Sequence, residues 1–291
     1  MNSSQFKKSE LKRLSAEIGF KTDFIESIVN NLDNYYNEWA EEKIDKKTGE
    51  VKRYKDGMIK KRVFKAPKRD LKIIQTRIKN RILSKIELPD NVHGGVKKRS
   101  NITNAKQHQG NKYQLTTDLQ DFYPSISSKQ VYTTFLALGY SNYFSSLITK
   151  LTTWKNELPQ GTPTSPHLAN LVFLKTDAVL IEFCNNEGVT YTRYVDDLTF
   201  SSQQDFRPHL NTILEIIKVG GFNINYRKTK YEGNQNITGI DVFLHKIDAP
   251  QAIIERAEQE KISDSGIKPL TNYVNNIRKT NIRKNKRKLI I

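Results

Sequence analysis

The most informative stretch of this sequence is Tyr191-Thr-Arg-Tyr-Val-Asp196-Asp197-Leu-Thr-Phe-Ser201, in which two short β-prone runs enclose a pair of acids. Runs of this kind, separated by two turn-forming residues, are typical of a β-hairpin. Another acid, Asp118, closes a β-prone run that begins at Tyr113. Carboxylates on half-buried strands are disfavoured unless something positive compensates them. Asp is also an ordinary turn residue, and for the pair alone that simpler interpretation would be preferred.

Helices and strands alternate around this hairpin. From Tyr113 onward the pattern of apolar residues, caps and turn signals predicts the order β-α-α-β-β-α-β-β. The predicted elements cover residues 113–119, 127–139, 166–188, 191–195, 198–201, 210–219, 224–231 and 237–243. This order predicts an α+β fold, in which a sheet carries helices on one face.

The preceding part of the chain has a different pattern. Residues 9–38 predict one or two amphipathic helices, and residues 41–65 predict strands joined by tight turns. A helix is predicted from Pro67 to Ile86, because apolar residues recur along one side of it. Residues 88–112 are polar and contain glycine, which favours a loop.

The charge of the chain indicates a polyanionic partner. Its 291 residues include 48 Lys and Arg against 31 Asp and Glu, a net charge of +17. Nucleic acid is the first candidate partner and an anionic membrane a distant one, because no long apolar face lies opposite the basic residues. A single cysteine, Cys184, excludes a disulfide framework or a multi-cysteine metal site. With neither a secretory signal nor a membrane span in view, we expect a cytoplasmic protein.

Acids at strand ends in so basic a chain indicate bound cations. If the two strands lie side by side, Asp118 and Asp196 come together, and their like charges repel unless divalent ions lie between them. Mg²⁺ typically takes one or two carboxylates together with substrate phosphates. Two such ions about 3.5–4 Å apart clamp the oxygens of a phosphoryl transfer. The residues thus predict metal-dependent phosphoryl transfer on nucleic acid.

Four motifs in this order resemble those of reverse transcriptases. Tyr194–Asp197 resembles the Y-x-D-D box, and the other three follow the family's order and spacing. These are Leu115–Ile126 for the first catalytic motif, Leu158–Pro166 for the P-Q-G box, and Gly221-Phe-Asn with Lys228-Thr229 for the fourth motif. Two further boxes resemble the retron type: Asn104-Ala-Lys-Gln-His108 for N-A-x-x-H and Ile237-Thr-Gly239 for V-T-G. The chain departs from the retron pattern at Ile237 and at Val195, where retron enzymes more often have Val and Ala.

The resemblance implies a right-hand polymerase fold with fingers, palm and thumb, the palm being an antiparallel sheet backed by helices. Its parts would be residues 1–112 for the N-terminal helices and fingers, residues 113–242 for the palm, and residues 243–291 for a short basic thumb. Part of the fingers would pack against residues 145–170.

The resemblance also implies roles for single residues. Asp118, Asp196 and Asp197 would bind two Mg²⁺ ions, and Lys228 would protonate or steady the leaving pyrophosphate. Tyr123 would exclude the ribose 2′-OH, whereas RNA-dependent RNA polymerases usually have an acid at that position. The other expected dNTP-binding residues are Arg62, Gln160 and Gly161. For each, an ordinary loop, core or solvated basic residue is the alternative.

Eight residues are expected to contact RNA. Some belong to the two retron boxes and the rest to the basic C-terminal stretch, for which a solubilising tail is the alternative. They are Asn104, His108, Thr238, Gly239, Arg283, Lys284, Lys286 and Arg287.

A retron-type enzyme would bind a structured noncoding RNA that serves as template and primer. It would prime from a 2′-OH and copy part of that RNA, using dNTPs, into single-stranded DNA that stays joined to it (msDNA). Such bacterial systems often serve antiphage defence together with an effector protein. Two alternatives stay open: a reverse transcriptase of intron-derived or abortive-infection lineage, and a catalytically idle RNA-binding scaffold for an effector.

Overall fold

The computed structural model describes residues 3–45, 48–54, 56–262 and 266–281. The helices, in chain order, are α1 Ser3–Ile18, α2 Thr22–Asn30, α3 Arg69–Arg81, α4 Asn101–Gln107, α5 Phe122–Ser125, α6 Ser128–Ala137, α7 Asn142–Thr152, α8 Ser165–Asn186, α9 Leu210–Val219, α10 Gln251–Ile262 and α11 Pro269–Lys279. The strands are β1 Tyr36–Glu42, β2 Lys61–Pro67, β3 Tyr113–Asp118, β4 Thr190–Tyr194, β5 Asp197–Ser202, β6 Lys230–Glu232, β7 Asn236–Ile237, β8 Ile240–Val242 and β9 Ile247–Asp248. Within the described ranges, no helix combines the length and apolar character that a membrane span requires.

The chain divides into two compact units. The first consists of Met1–Leu88 and Asp121–Phe173, and the second of Pro89–Gln120 and Leu174–Ile291.

The first unit is built on helices and one exposed hairpin. Helices α1, α2, α3 and α7 pack together and bury the apolar residues that the helical spacing predicts, including Leu14, Ile25 and Ile74. Strands β1 and β2 pair antiparallel, but β1 starts at Tyr36, within the stretch predicted to be helical and before the strands expected in residues 41–65. Gln75 ties α3 to the base of this hairpin, because its Nε2 donates to the Tyr36 hydroxyl at 3.0 Å.

The second unit contains a four-stranded antiparallel sheet in the order β4-β5-β3-β6. Successive side chains of a strand point to opposite faces, so the register assigns every residue to one face. Leu115, Leu198 and Phe200 are buried together on one face. The other face is polar throughout and ends in Asp118 and Asp197. The predicted hairpin of β4 and β5 is confirmed.

A smaller sheet in the order β7-β8-β9 completes the second unit. It packs with α4, α10 and α11 around a separate apolar core of Ile237, Ile240, Ile247, Val274 and Ile277, among others. Helix α11 is joined to β9 by Arg278, which pairs with Asp248.

Two local predictions were wrong. Residues 88–112 are not all loop, because Ser100 and Thr103 form a capping box that starts α4. Residues 224–231 do not form one strand: the amides of Lys228 and Thr229 both donate to the carbonyl of Asn225, so the chain turns there, and β6 starts only at Lys230. In addition, α7 was missed between the predicted helices.

Candidate active site

Three acids converge at one end of the four-stranded sheet. Asp118 is the last residue of β3 and lies directly opposite Asp197, the first residue of β5. Asp196 occupies the turn between β4 and β5, where its carbonyl accepts the amide of Leu119 at 3.0 Å. The antiparallel pairing of β3 and β5 thus brings together residues that are far apart in the chain, as the sequence predicts for Asp118 and Asp196.

Lys228 and Asn225 hold the carboxylate of Asp118. The Nζ of Lys228 lies 2.7 Å from Asp118 Oδ1, and the Nδ2 of Asn225 donates to Oδ2 at 3.2 Å. The backbone amide of Asn225 also donates to the Asp118 carbonyl at 2.8 Å. The turn that breaks the predicted strand at 224–231 therefore supplies both partners of this acid.

The charges of Asp118 and Asp196 act on the carboxylate of Asp197. Burial, followed by the negative charges of Asp196 and Asp118, raises the pKa of Asp197 to about 7, although Lys228 opposes the shift. The cluster therefore carries more negative charge than the neighbouring lysine offsets. A divalent cation would relieve this repulsion.

The donor set fits a cation that shares its ligands with phosphates. In the described part of the chain, no three or more His, Cys, Asp and Glu side chains form a ready-made metal centre. Mg²⁺ commonly completes its octahedral shell with waters and substrate phosphates around one or two carboxylates. Asp118, Asp196 and Asp197 provide the carboxylates that such an arrangement requires.

The turn that carries Asp196 is strained and closely packed. Val195 has a φ of 60°, in the left-handed region that β-branched residues rarely adopt. Residues Asn91 to Gly94 run alongside β4, and the amide of His93 donates to the Arg193 carbonyl at 2.8 Å. A Cβ added at Gly94 would lie 2.5 Å from the Val195 backbone nitrogen. Only glycine therefore fits beside this turn.

The predicted nucleotide-binding residues all belong to the first unit. Arg62 is exposed on β2 and faces Glu41 across the hairpin. Gln160 is half-buried, and its carbonyl accepts the Lys65 amide at 3.4 Å, so the predicted P-Q-G loop lies beside β2. Gly161 is exposed with a φ of 99°, and Tyr123 is half-buried in α5.

Two of the predicted RNA-contacting residues lie in the protein interior. Asn104 and His108 are fully buried, and the two ring nitrogens of His108 lie 2.6 Å from the hydroxyls of Ser201 and Thr192. Asn104 Nδ2 donates to the Thr238 hydroxyl at 3.4 Å. The polar atoms of Asn104 and His108 thus face the protein, and direct RNA contact by these two residues stays a prediction.

Thr238 and Gly239 stay candidates for RNA contact. They form the two-residue turn between β7 and β8, with φ values of 48° and 84°, and Gly239 is exposed. Asn101 Nδ2 donates to the Thr238 carbonyl at 3.2 Å and so supports this strained turn. The basic residues Arg283, Lys284, Lys286 and Arg287 lie outside the described residues.

Sequence reasoning missed Asn225 and Gly94. Asn225 was assigned to a strand, and only the fold reveals that it holds Asp118. Gly94 belongs to the pair Gly94-Gly95 in the polar stretch after Pro89. The adjacent glycines were a usable signal, because they often mark a close approach of two backbone segments.

Comparison with known proteins gives a consistent result. The sequence model of the family "Reverse transcriptase (RNA-dependent DNA polymerase)" matches residues 44–242. Retron Ec86 reverse transcriptase from Escherichia coli is 36% identical over 197 residues, which cover 64% of this chain and 60% of that protein. Retron Se72 reverse transcriptase from Salmonella heidelberg is 33% identical over 231 residues, which cover 79% and 57%. The chain thus spans about three fifths of the length of these relatives.

A solved structure gives a more distant match. Apo telomerase from Candida tropicalis, truncated from its C-terminal domain, aligns with a TM-score of 0.44 and 12% identity, covering 79% of this chain and 61% of that one.

Replacing Gly94 by Ala is expected to lower the free energy of unfolding by about 1–3 kcal/mol, because the new Cβ would overlap the backbone of Val195. Urea denaturation measures the change. Gly233→Ala is the matched control, since a Cβ there meets only the Lys112 carbonyl at 3.6 Å. Equal stability of the two variants would contradict the close packing of Gly94 against the turn.

The buried His108 is expected to make the fold sensitive to acid. Burial, and then the charge of His93, lowers the pKa of His108 to about 3, whereas the unfolded chain titrates near 6.5. The unfolded state therefore gains a proton first, and stability falls as the pH drops from 6.5 towards 3. By pH 5 the loss from this residue is about 2 kcal/mol. Urea denaturation of His108→Gln and of the parent chain at pH 7 and pH 5 tests this, and a stability difference that is the same at both pH values contradicts it.

Proposed function

We propose a function from one premise: the chain belongs to the reverse transcriptase (RNA-dependent DNA polymerase) family, and within it to the retron type. The right-hand polymerase fold expected from the motifs is confirmed by this membership, and the antiparallel sheets agree with it. We infer that the chain is an RNA-directed DNA polymerase. The observation that carries the proposal is the convergence of Asp118, Asp196 and Asp197 beside Lys228.

The acids would supply the metal site of this reaction. Reverse transcriptases generally use divalent metal ions. We propose that Asp118 and Asp196, with Asp197 as a weaker ligand, hold two Mg²⁺ ions. Bound there, the ions would lower the pKa of the attacking hydroxyl and neutralise charge on the triphosphate.

Lys228 would protonate or stabilise the leaving pyrophosphate. Its side chain is 62% exposed although its Nζ pairs with Asp118, so it can turn towards a phosphate without unfolding its loop. Its Nζ lies beside Asp118, one of the residues that would hold the metal, and so near the place where the triphosphate would be bound. The proton on Nζ would then be available to the departing pyrophosphate.

Four residues named by the resemblance would contact the nucleotide. We propose that Arg62, exposed on β2, binds the triphosphate, because its planar guanidinium suits phosphate oxygens. Gln160 and Gly161 would lie against the incoming nucleotide, and the ring of Tyr123 would leave no space for a 2′-OH.

The retron relationship extends the proposal to the RNA. We propose that the chain binds a structured noncoding RNA, primes from a 2′-OH and leaves its DNA product joined to that RNA, in antiphage defence with an effector protein. The net charge of +17 supports a polyanionic partner, and the exposed turn of Thr238 and Gly239 is the contact that we favour. The predicted boundaries of fingers, palm and thumb stay predictions.

Asp118→Ala and Asp196→Ala are each expected to abolish incorporation of dNTPs, because either change removes a metal ligand. RNA binding persists, because the basic surface is intact. Primer extension and filter binding measure the two properties. Glu258→Ala, an exposed acid on α10, is the matched control and keeps activity. Substantial primer extension by both aspartate variants would contradict the assignment of Asp118 and Asp196 as metal ligands.

Tyr123→Val is expected to admit ribonucleotides, because the smaller side chain leaves room for the 2′-OH. The measurement is competition between rNTPs and dNTPs in primer extension. Tyr132→Val, the same change at a half-buried position on α6, controls for general loosening of the first unit. Unchanged discrimination in Tyr123→Val would place the gate elsewhere.

A further inference from the structure

A fully buried ion pair lies on the apolar face of the four-stranded sheet. Arg193 on β4 and Asp177 on α8 both have no exposed side-chain surface. The guanidinium of Arg193 forms a bidentate pair with the carboxylate of Asp177, with Nε 3.1 Å from Oδ1 and one Nη 2.6 Å from Oδ2. The Tyr191 hydroxyl also donates to Asp177, at 2.7 Å. The carboxylate therefore holds the guanidinium in one orientation.

The remaining arm of this guanidinium reaches the turn that carries Asp196. The second Nη of Arg193 donates to the carbonyl of Val195 at 3.1 Å. Val195 is the residue with the strained, left-handed backbone described above. Because Asp177 orients the guanidinium of Arg193, the charged hydrogen bond from Arg193 is suited to hold this carbonyl and, with it, the strained peptide unit.

Stability alone is a poor explanation for this arrangement. Burying two charges is expensive, and well-packed apolar residues of similar volume often serve a protein core as well or better. Lys could balance the charge of Asp177, but a single ammonium cannot present the planar fork that joins both carboxylate oxygens and the Val195 carbonyl. The planar guanidinium of Arg193 is thus suited to hold the Val195 turn as well as to pair with Asp177.

We propose that Arg193 is a positioning residue, which Asp177 orients so that it holds the Val195 turn and thereby the carboxylate of Asp196. This inference rests on the proposed function, because it assigns Arg193 its effect through the metal-binding role of Asp196. Arg193 is fully buried, and its effect would pass through the turn. It keeps the left-handed turn from relaxing to an ordinary backbone conformation, which would move Asp196 away from Asp118.

The experiment measures metal binding as well as turnover. Mn²⁺ binding to the full chain without nucleic acid is followed by electron paramagnetic resonance, and primer extension gives kcat and the KM for dNTP. Arg193→Lys, which keeps the charge, is expected to weaken Mn²⁺ binding and to lower kcat by about tenfold each, the loss of one charged hydrogen bond. The KM for dNTP stays within about twofold.

A second substitution separates the turn from the ion pair. Glycine adopts the left-handed region without strain, so in Val195→Gly the turn no longer needs the hydrogen bond from Arg193 to hold it. In the Arg193→Lys background it is expected to restore most of the lost Mn²⁺ affinity and kcat, with Val195→Gly alone completing the double-mutant cycle. A residue that only balances the charge of Asp177 would show no such rescue.

Three results overturn the proposal: wild-type Mn²⁺ affinity and kcat in Arg193→Lys, a loss that Val195→Gly does not restore, or an Mn²⁺ affinity unchanged in Asp196→Asn. The last result rejects the proposed metal site as well, whereas the first two reject only the positioning role of Arg193. If Arg193→Lys does not fold, the apolar pair Asp177→Leu with Arg193→Met decides. Folded protein with about tenfold weaker Mn²⁺ binding supports the positioning role of Arg193, and undiminished binding overturns it.

Discussion

The antiparallel register of β3 and β5 is the constraint on which the candidate site depends. It sets Asp118 opposite Asp197 and at the same time sends Leu115, Leu198 and Phe200 to the opposite face. A shift by one residue would turn the acids into the apolar core and the apolar residues outward, because side chains alternate along a strand. The burial of the core and the placement of the acids therefore enforce each other.

The site keeps its acids close against their mutual repulsion. Lys228 and Asn225 both bind Asp118, and neither belongs to the strands that carry the acids. Burial, and then the charges of Asp196 and Asp118, raise the pKa of Asp197. The protein thus maintains, on a fold of net charge +17, a compact negative cluster at the end of one polar sheet face. Such a cluster is suited to a cation that arrives with its own phosphate ligands.

The boxes that mark the retron type have internal partners in this structure. His108 joins α4 to two strands of the sheet through Ser201 and Thr192, and Asn104 reaches the turn at Thr238. These contacts connect the smaller sheet with the one that carries the acids. A motif recognised in the sequence can therefore serve to orient a surface turn.

The sequence by itself determined the elements whose signal is local. Apolar spacing in α1 to α3, the hairpin around Asp196 and the capped start of α6 could all be predicted, because period and caps are properties of neighbouring residues. The capping box of α4 was a local signal that went unread, whereas only the tertiary structure decided its distant contacts, from Asn101 to Tyr273 and from the following His108 to Thr192. It alone also decided the pairing of Arg193 with Asp177 and of Lys228 with Asp118. Such pairs depend on how strands and helices pack, and packing brings together residues whose separation in the chain carries no pattern.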